Sequence, residues 1–145
     1  QKPTKISSFS IYYNKSINTF IKKSDVIVSI LPDTKNTNNF IDAKFLKKMK
    51  KNSLLINIGR GSAVNEIDLI NYIRKNNNFF ASLDVFNKEP LIKKHKFWNY
   101  NNITITPHVA AITDHESSIN YLYKKFLIFK KNKKIKSDVN FKLGY

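Results

Sequence analysis

Cysteine is absent from these 145 residues, glycine occurs three times, methionine once, and arginine only at Arg60 and Arg74. Without cysteine there is no disulfide framework and no thiolate metal site, and no metal is expected. Long apolar stretches are missing as well. The longest uninterrupted runs are a few residues, far short of the roughly 20 that cross a bilayer. No signal peptide opens the chain, so a cytoplasmic protein without membrane association is expected. What the chain does have is enough apolar material for one core: 41% of residues are hydrophobic, among them 11 Phe and 7 Tyr.

Charge of one sign dominates, with 26 basic against 10 acidic residues and a net charge of +16. Such a balance raises the question of nucleic acid, but 24 of the basic residues are lysine. Base reading and phosphate clamping favour arginine, whose planar fork makes bidentate contacts. The lysines are scattered, with short runs only at Lys47–Lys51 and Lys130–Lys136, and no aromatic residues are interleaved as a stacking platform requires. Asn, Ile, Lys, Phe and Tyr are inflated together, as in a genome rich in A and T. Solvated faces are therefore expected, and no nucleic-acid partner. A basic module that holds polyanions stays open as an alternative, as does a non-catalytic interaction fragment.

Along the chain, apolar periodicity alternates between two patterns. Ser16 to Lys23 carries Ile17, Phe20 and Ile21 at helical spacing, with Asn14 or Ser16 as cap. "DVIVSILP" reads as a buried strand stopped by Pro32. Asp42 is placed to cap a helix through Met49, and "SLLINIG" is a second buried strand. Asn65 or Glu66 opens a helix with Ile67, Leu69, Ile70, Tyr72 and Ile73 inward. "FFASLDVF" and "NITIT" are further strands, and a long amphipathic helix covers roughly Asp114 to Lys131. This rhythm predicts an α/β fold with a mostly parallel sheet.

Ligands of such sheets sit at the carboxyl ends of the strands, which directs attention to three charged residues. Arg60 lies between Gly59 and Gly61, where the glycines let the backbone turn sharply and approach a ligand closely. An arginine there suits a carboxylate, through two parallel charge-assisted hydrogen bonds. Glu89 precedes Pro90, and His108 follows Pro107 after the next strand. On adjacent strands the two can meet, and a carboxylate partner favours the charged imidazole and fixes its tautomer. A proton donor beside an arginine that holds a carboxylate suits reduction of a 2-oxo acid. No side chain delivers a hydride, so the reaction calls for a nicotinamide cofactor.

"SDVIVSILPDTKNT", "LLINIGRGSAVNEIDLINYI", "ASLDVFNKEPL" and "ITPHVAAIT", in that order over residues 24–113, resemble the cofactor-domain motifs of the D-isomer-specific 2-hydroxyacid dehydrogenases. The wording "DVFNKEPL…TPHVAAIT" and the closing "VNFKLGY" are similar to the glyoxylate/hydroxypyruvate reductase A group within that family. The resemblance implies the C-terminal part of a Rossmann-like NAD(P)-binding domain over 1–113. It also implies a C-terminal amphipathic helix and tail over 114–145 that pack towards a substrate domain. It implies catalytic roles for Arg60, Glu89 and His108. Leu31, Pro32 and Thr37 would line the adenosine and phosphate side, Ile58 and Gly59 the nicotinamide ribose, and Asp84 would accept from the carboxamide. NADPH is the implied cofactor, with NADH as the alternative. The substrate is a small 2-oxo acid, and the complete enzyme a homodimer. The chain departs from the family: the N-terminal substrate domain is not expected within it, and with glycine only at 59, 61 and 144 its 145 residues hold no G-x-G-x-x-G phosphate turn. As a fragment it is expected to be inactive alone.

Overall fold

Four short runs of branched and aromatic residues form the strands β1 (Val26–Ser29), β2 (Leu54–Asn57), β3 (Phe80–Leu83) and β4 (Ile103–Ile105). They pair in parallel in the order β1-β2-β3-β4. The register sets Ile27 beside Leu55, Leu55 beside Ala81, and Ala81 beside Ile103. The computed structural model describes residues 16–111, 113–135 and Asp138. The chain divides into two compact units, 1–108 and 109–145. Asn14 and the closing "VNFKLGY" lie outside the described residues.

In the first unit three helices accompany the sheet: α1 (Ile17–Lys23), α2 (Ala43–Leu46) and α3 (Glu66–Ile73). Two of the expected caps form. The Asp42 side chain accepts from the Phe45 amide and that of Asn65 from the Asp68 amide, each satisfying an N–H that the first turn leaves without a partner. Ser16 occupies the cap position of α1 without a side-chain capping bond. α2 is shorter than its apolar spacing predicted, although Met49 beyond it is still buried.

Ile21, Phe45, Leu46, Leu69 and Ile73 from the helices meet Ile27, Leu55, Ala81, Leu83 and Ile103 from the strands in one core. This follows from chain order. Strands added in one direction through right-handed crossovers put every crossover helix on the same face. Among the described residues the opposite face is less covered, which corrects the expectation that these strands are buried throughout. Val26 is 51%, Val28 47% and Phe80 51% exposed, alternating with neighbours that are almost fully covered. Ile67, expected to point inward from α3, is also exposed, because at 3.6 residues per turn it lies on the side of the helix away from Leu69 and Ile73. Two short 3-10 helices that periodicity did not reveal complete the unit, Gly61–Ala63 and Lys96–Asn99.

The second unit holds α4 (His115–Asn132), capped by Asp114, which accepts from the Ser117 amide, and ended by Lys133 in the left-handed region. Lys125 pairs with Asp138, which also takes the Tyr121 hydroxyl. Leu122, Phe126 and Phe129 on α4 are exposed. Among the described residues no helix is long and apolar enough to cross a membrane.

Candidate active site

Because all four strands run the same way, their exits share one edge, and backbone bonds continue the pairing past the strands. Ile58 N–H donates to Ser29 O at 3.1 Å, Asp84 N–H to Asn57 O at 3.0 Å, and Thr106 N–H to Leu83 O at 3.0 Å. One step further, His108 N–H donates to Asp84 O at 2.9 Å. This last bond brings the histidine back over the exit of β3. His108 takes φ 55°, a left-handed conformation that costs most side chains energy and that histidine adopts more readily than most.

There the imidazole meets the glutamate. His108 Nδ1 lies 2.8 Å from Glu89 Oε2, while Glu89 Oε1 accepts from the Phe86 N–H at 2.9 Å. An ionised carboxylate can only accept, so Nδ1 carries the proton and Nε2 is the nitrogen presented to a ligand. The His108 hydrogen bond, followed by that of Phe86, holds the Glu89 carboxyl below the ordinary glutamate range. Both residues line a cavity of about 450 Å³ with Asp84, Phe86, Trp98 and Thr106 among its other walls. Asp84 is buried at the cavity and its carboxylate takes the Thr106 hydroxyl.

Arg60 stands at the same edge, one strand away, and is exposed. Its Nη1 donates to the neighbouring Gly59 carbonyl at 2.8 Å rather than to the glutamate–histidine pair. The glycines that flank it serve a purpose different from the one expected. Neither has a left-handed φ; both are needed for space. A Cβ on Gly59 would lie 2.6 Å from Leu31 N, and one on Gly61 only 1.9 Å from the carbonyl carbon of Phe86. The turn is thus wedged between the loops that follow β1 and β3, so the three strand exits pack directly on one another.

Of the other expected residues, Leu31, Pro32 and Ile58 are half-buried at the exits of β1 and β2. The Thr37 hydroxyl closes its own loop, donating to Pro32 O at 2.5 Å and accepting from the Thr34 amide at 3.0 Å. Sequence reasoning missed Asn57, whose buried side chain donates to Arg60 O at 3.0 Å and accepts from the Gly59 amide at 3.3 Å, shaping the arginine turn. It also missed Thr106 and Trp98. The signal for Thr106 was available, since it stands directly before the Pro107-His108 pair at a strand end.

Residues 1–110 match the model of the NAD binding domain of the D-isomer specific 2-hydroxyacid dehydrogenases. The chain is 37% identical over 136 residues to a glyoxylate/hydroxypyruvate reductase A of Photorhabdus laumondii, covering 94% of this chain and 44% of that protein. An NADPH-dependent glyoxylate/hydroxypyruvate reductase of Sinorhizobium meliloti, solved with NADP and sulfate, superposes with a TM-score of 0.88 at 28% identity. That match covers 98% of this chain and 46% of the other. A probable 2-hydroxyacid dehydrogenase of Rhizobium etli, solved with NADP, HEPES and L(+)-tartaric acid, gives 0.79 at 29% identity, covering 90% and 43%. The chain thus spans less than half the length of these relatives. A parallel sheet whose exits gather an arginine turn, a buried aspartate and a glutamate–histidine pair agrees with that match, and the chain belongs to the D-isomer specific 2-hydroxyacid dehydrogenase family.

Proposed function

We propose that this chain carries the proton-transfer side of a reductase that converts glyoxylate or hydroxypyruvate into the corresponding 2-hydroxy acid with NADPH. The observation that supports this most is the 2.8 Å contact between His108 Nδ1 and Glu89 Oε2 at the mouth of a largely apolar cavity. The cavity fits a nicotinamide. Its apolar wall suits the ring, and Asp84 offers a carboxylate acceptor to a carboxamide. The cofactor, when bound, supplies the hydride that no side chain can give. Leu31, Pro32 and Thr37 would lie towards its adenosine and phosphates, and Ile58 and Gly59 towards its ribose.

The residues of this chain supply the rest. Arg60 would hold the substrate carboxylate through both guanidinium nitrogens, which requires exchanging its bond to the Gly59 carbonyl for the ligand. His108 Nε2–H would give its proton to the carbonyl oxygen as the carbon is reduced, and Glu89 keeps the ring oriented through Nδ1. The product leaves with one added proton and one added hydride, and His108 regains its proton from water.

In the complete enzyme, residues 1–113 would serve the cofactor and 114–145 would pack towards a substrate domain. That enzyme is proposed to act as a cytoplasmic homodimer on small 2-oxo acids. The 145 residues by themselves are expected to show no turnover, having no glycine-rich phosphate turn. The test is a fusion of this chain behind the N-terminal portion of the Photorhabdus relative, assayed for substrate-dependent loss of NADPH and then of NADH. Turnover with glyoxylate or hydroxypyruvate is expected, and His108→Asn should lower kcat by about 10²–10⁴-fold. A folded fusion that binds NADPH yet reduces neither acid would sink the proposal.

A further inference from the structure

A second glutamate–histidine pair lies behind the first, and its contacts run to the loop on which Glu89 stands. Glu66 is the first residue of α3. Its Oε1 accepts from the Asn87 N–H at 3.1 Å, and its Oε2 lies 3.3 Å from His95 Nε2. The tautomer of His95 follows from its other nitrogen. Nδ1 accepts from the Phe97 N–H at 3.3 Å, so the proton resides on Nε2 and is donated to Glu66. The ring of His95 also packs edge-on against Phe97, with centroids 4.5 Å apart, and Phe97 is fully buried.

These contacts join the start of α3 to two later segments, the turn after β3 and the cap of the 3-10 helix Lys96–Asn99. The turn is held at two consecutive amides. Phe86 N–H goes to Glu89 itself and Asn87 N–H goes to Glu66. The 3-10 helix carries Trp98, a wall of the cavity, whose Nε1 donates to Ile92 O at 3.0 Å. Glu66 thus touches neither His108 nor the cavity, yet it grips the backbone beside the residue that does. Its own side chain is only about one-fifth exposed (21%), and that of His95 20%. Water therefore competes less for this pair than for the outer one, where the side chains are 49% and 37% exposed.

We propose that Glu66 and His95 are positioning residues: together they clamp the Phe86–Glu89 turn and so hold Glu89 against His108. The inference rests on the proposed use of His108 for its relevance to catalysis, but the clamp itself can be read without turnover. In the labelled full chain, nitrogen NMR of His108 reports whether Nδ1 is bonded to a carboxylate, and hydrogen exchange at the Asn87 amide reports the grip of Glu66. Glu66→Ala should erase the His108 signature and speed Asn87 exchange by about tenfold or more, the loss expected for a hydrogen bond to a charged acceptor. His95→Ala should do the same to a lesser degree. Ile67→Ala, an exposed neighbour on α3, should move neither readout.

A Glu66→Ala protein with a native amide spectrum, an unchanged His108 signature and slow Asn87 exchange would overturn the proposal. Should that variant not fold, His95→Ala leaves the start of α3 intact, and unchanged readouts there overturn it equally. Absence of reductase activity in the fusion would leave these measurements unaffected, so the two proposals fail separately.

Discussion

Ile27 and Val28 are neighbours on β1 and chemically almost alike, yet the first is 3% and the second 47% exposed. In β2 and β3 the outward residues are half-buried at Leu54, Ile56 and Ser82 and exposed at Phe80, so among the described residues one face of the sheet is a packed core and the other is less covered. Parallel sheets are ordinarily covered on both faces. Among the described residues of the first unit, the strands are added in one direction and the helices that pack on them cover one face. β1 and β2 nonetheless carry apolar residues on the outward parity as well, at Val26, Val28, Leu54 and Ile56. The site sits on the rim where the two faces meet, and its integrity therefore depends on the closed face.

That asymmetry can be broken most strongly from within. Ile27→Ala should cost about 2–5 kcal/mol of stability, through lost burial and the cavity left behind, measured by urea unfolding of the whole chain. A smaller effect is expected from loosening the covering layer at its edge. Asp42→Ala removes the acceptor of the Phe45 amide at the start of α2, and about 0.5–2 kcal/mol should be lost.

At the rim, the contribution is a matter of pH. The Glu89 carboxyl lies below the ordinary glutamate value in the folded chain, chiefly through the His108 hydrogen bond. Its stabilisation is complete above the unfolded value and disappears as the pH falls through the lower, folded one. Glu89→Gln should therefore flatten the acid limb of the stability profile; an identical acid limb would contradict the assignment. The mildest change is expected on the open face. Val28→Ala should shift stability by less than about 1 kcal/mol, since the side chain is already half in water. A cost equal to that of Ile27→Ala would mean that the two faces are not different.

The parts that were legible in the sequence were the local ones. β-branched runs marked the strands, and Asp42, Asn65 and Asp114 announced their helices because a capping side chain bonds within its own first turn. Glu89 and His108 could be paired in advance because consecutive parallel strands are usually neighbours. What stayed hidden depended on partners far along the chain. Val26 and Val28 look like core until the direction of strand addition is known. Gly59 and Gly61 looked like flexible turn residues, whereas their need is space beside Leu31 and Phe86. Glu66 read as a helix-opening acid, and no local pattern links it with Asn87 and His95.

One consequence of the backbone at His108 reaches beyond mechanics. A left-handed φ of 55° is a conformation in which glycine would sit more comfortably, by roughly 1 kcal/mol. Stability and chemistry thus pull this position in opposite directions. Replacing the histidine by glycine would relieve that cost but also remove the bond to Glu89, so the effect on stability is the balance of the two.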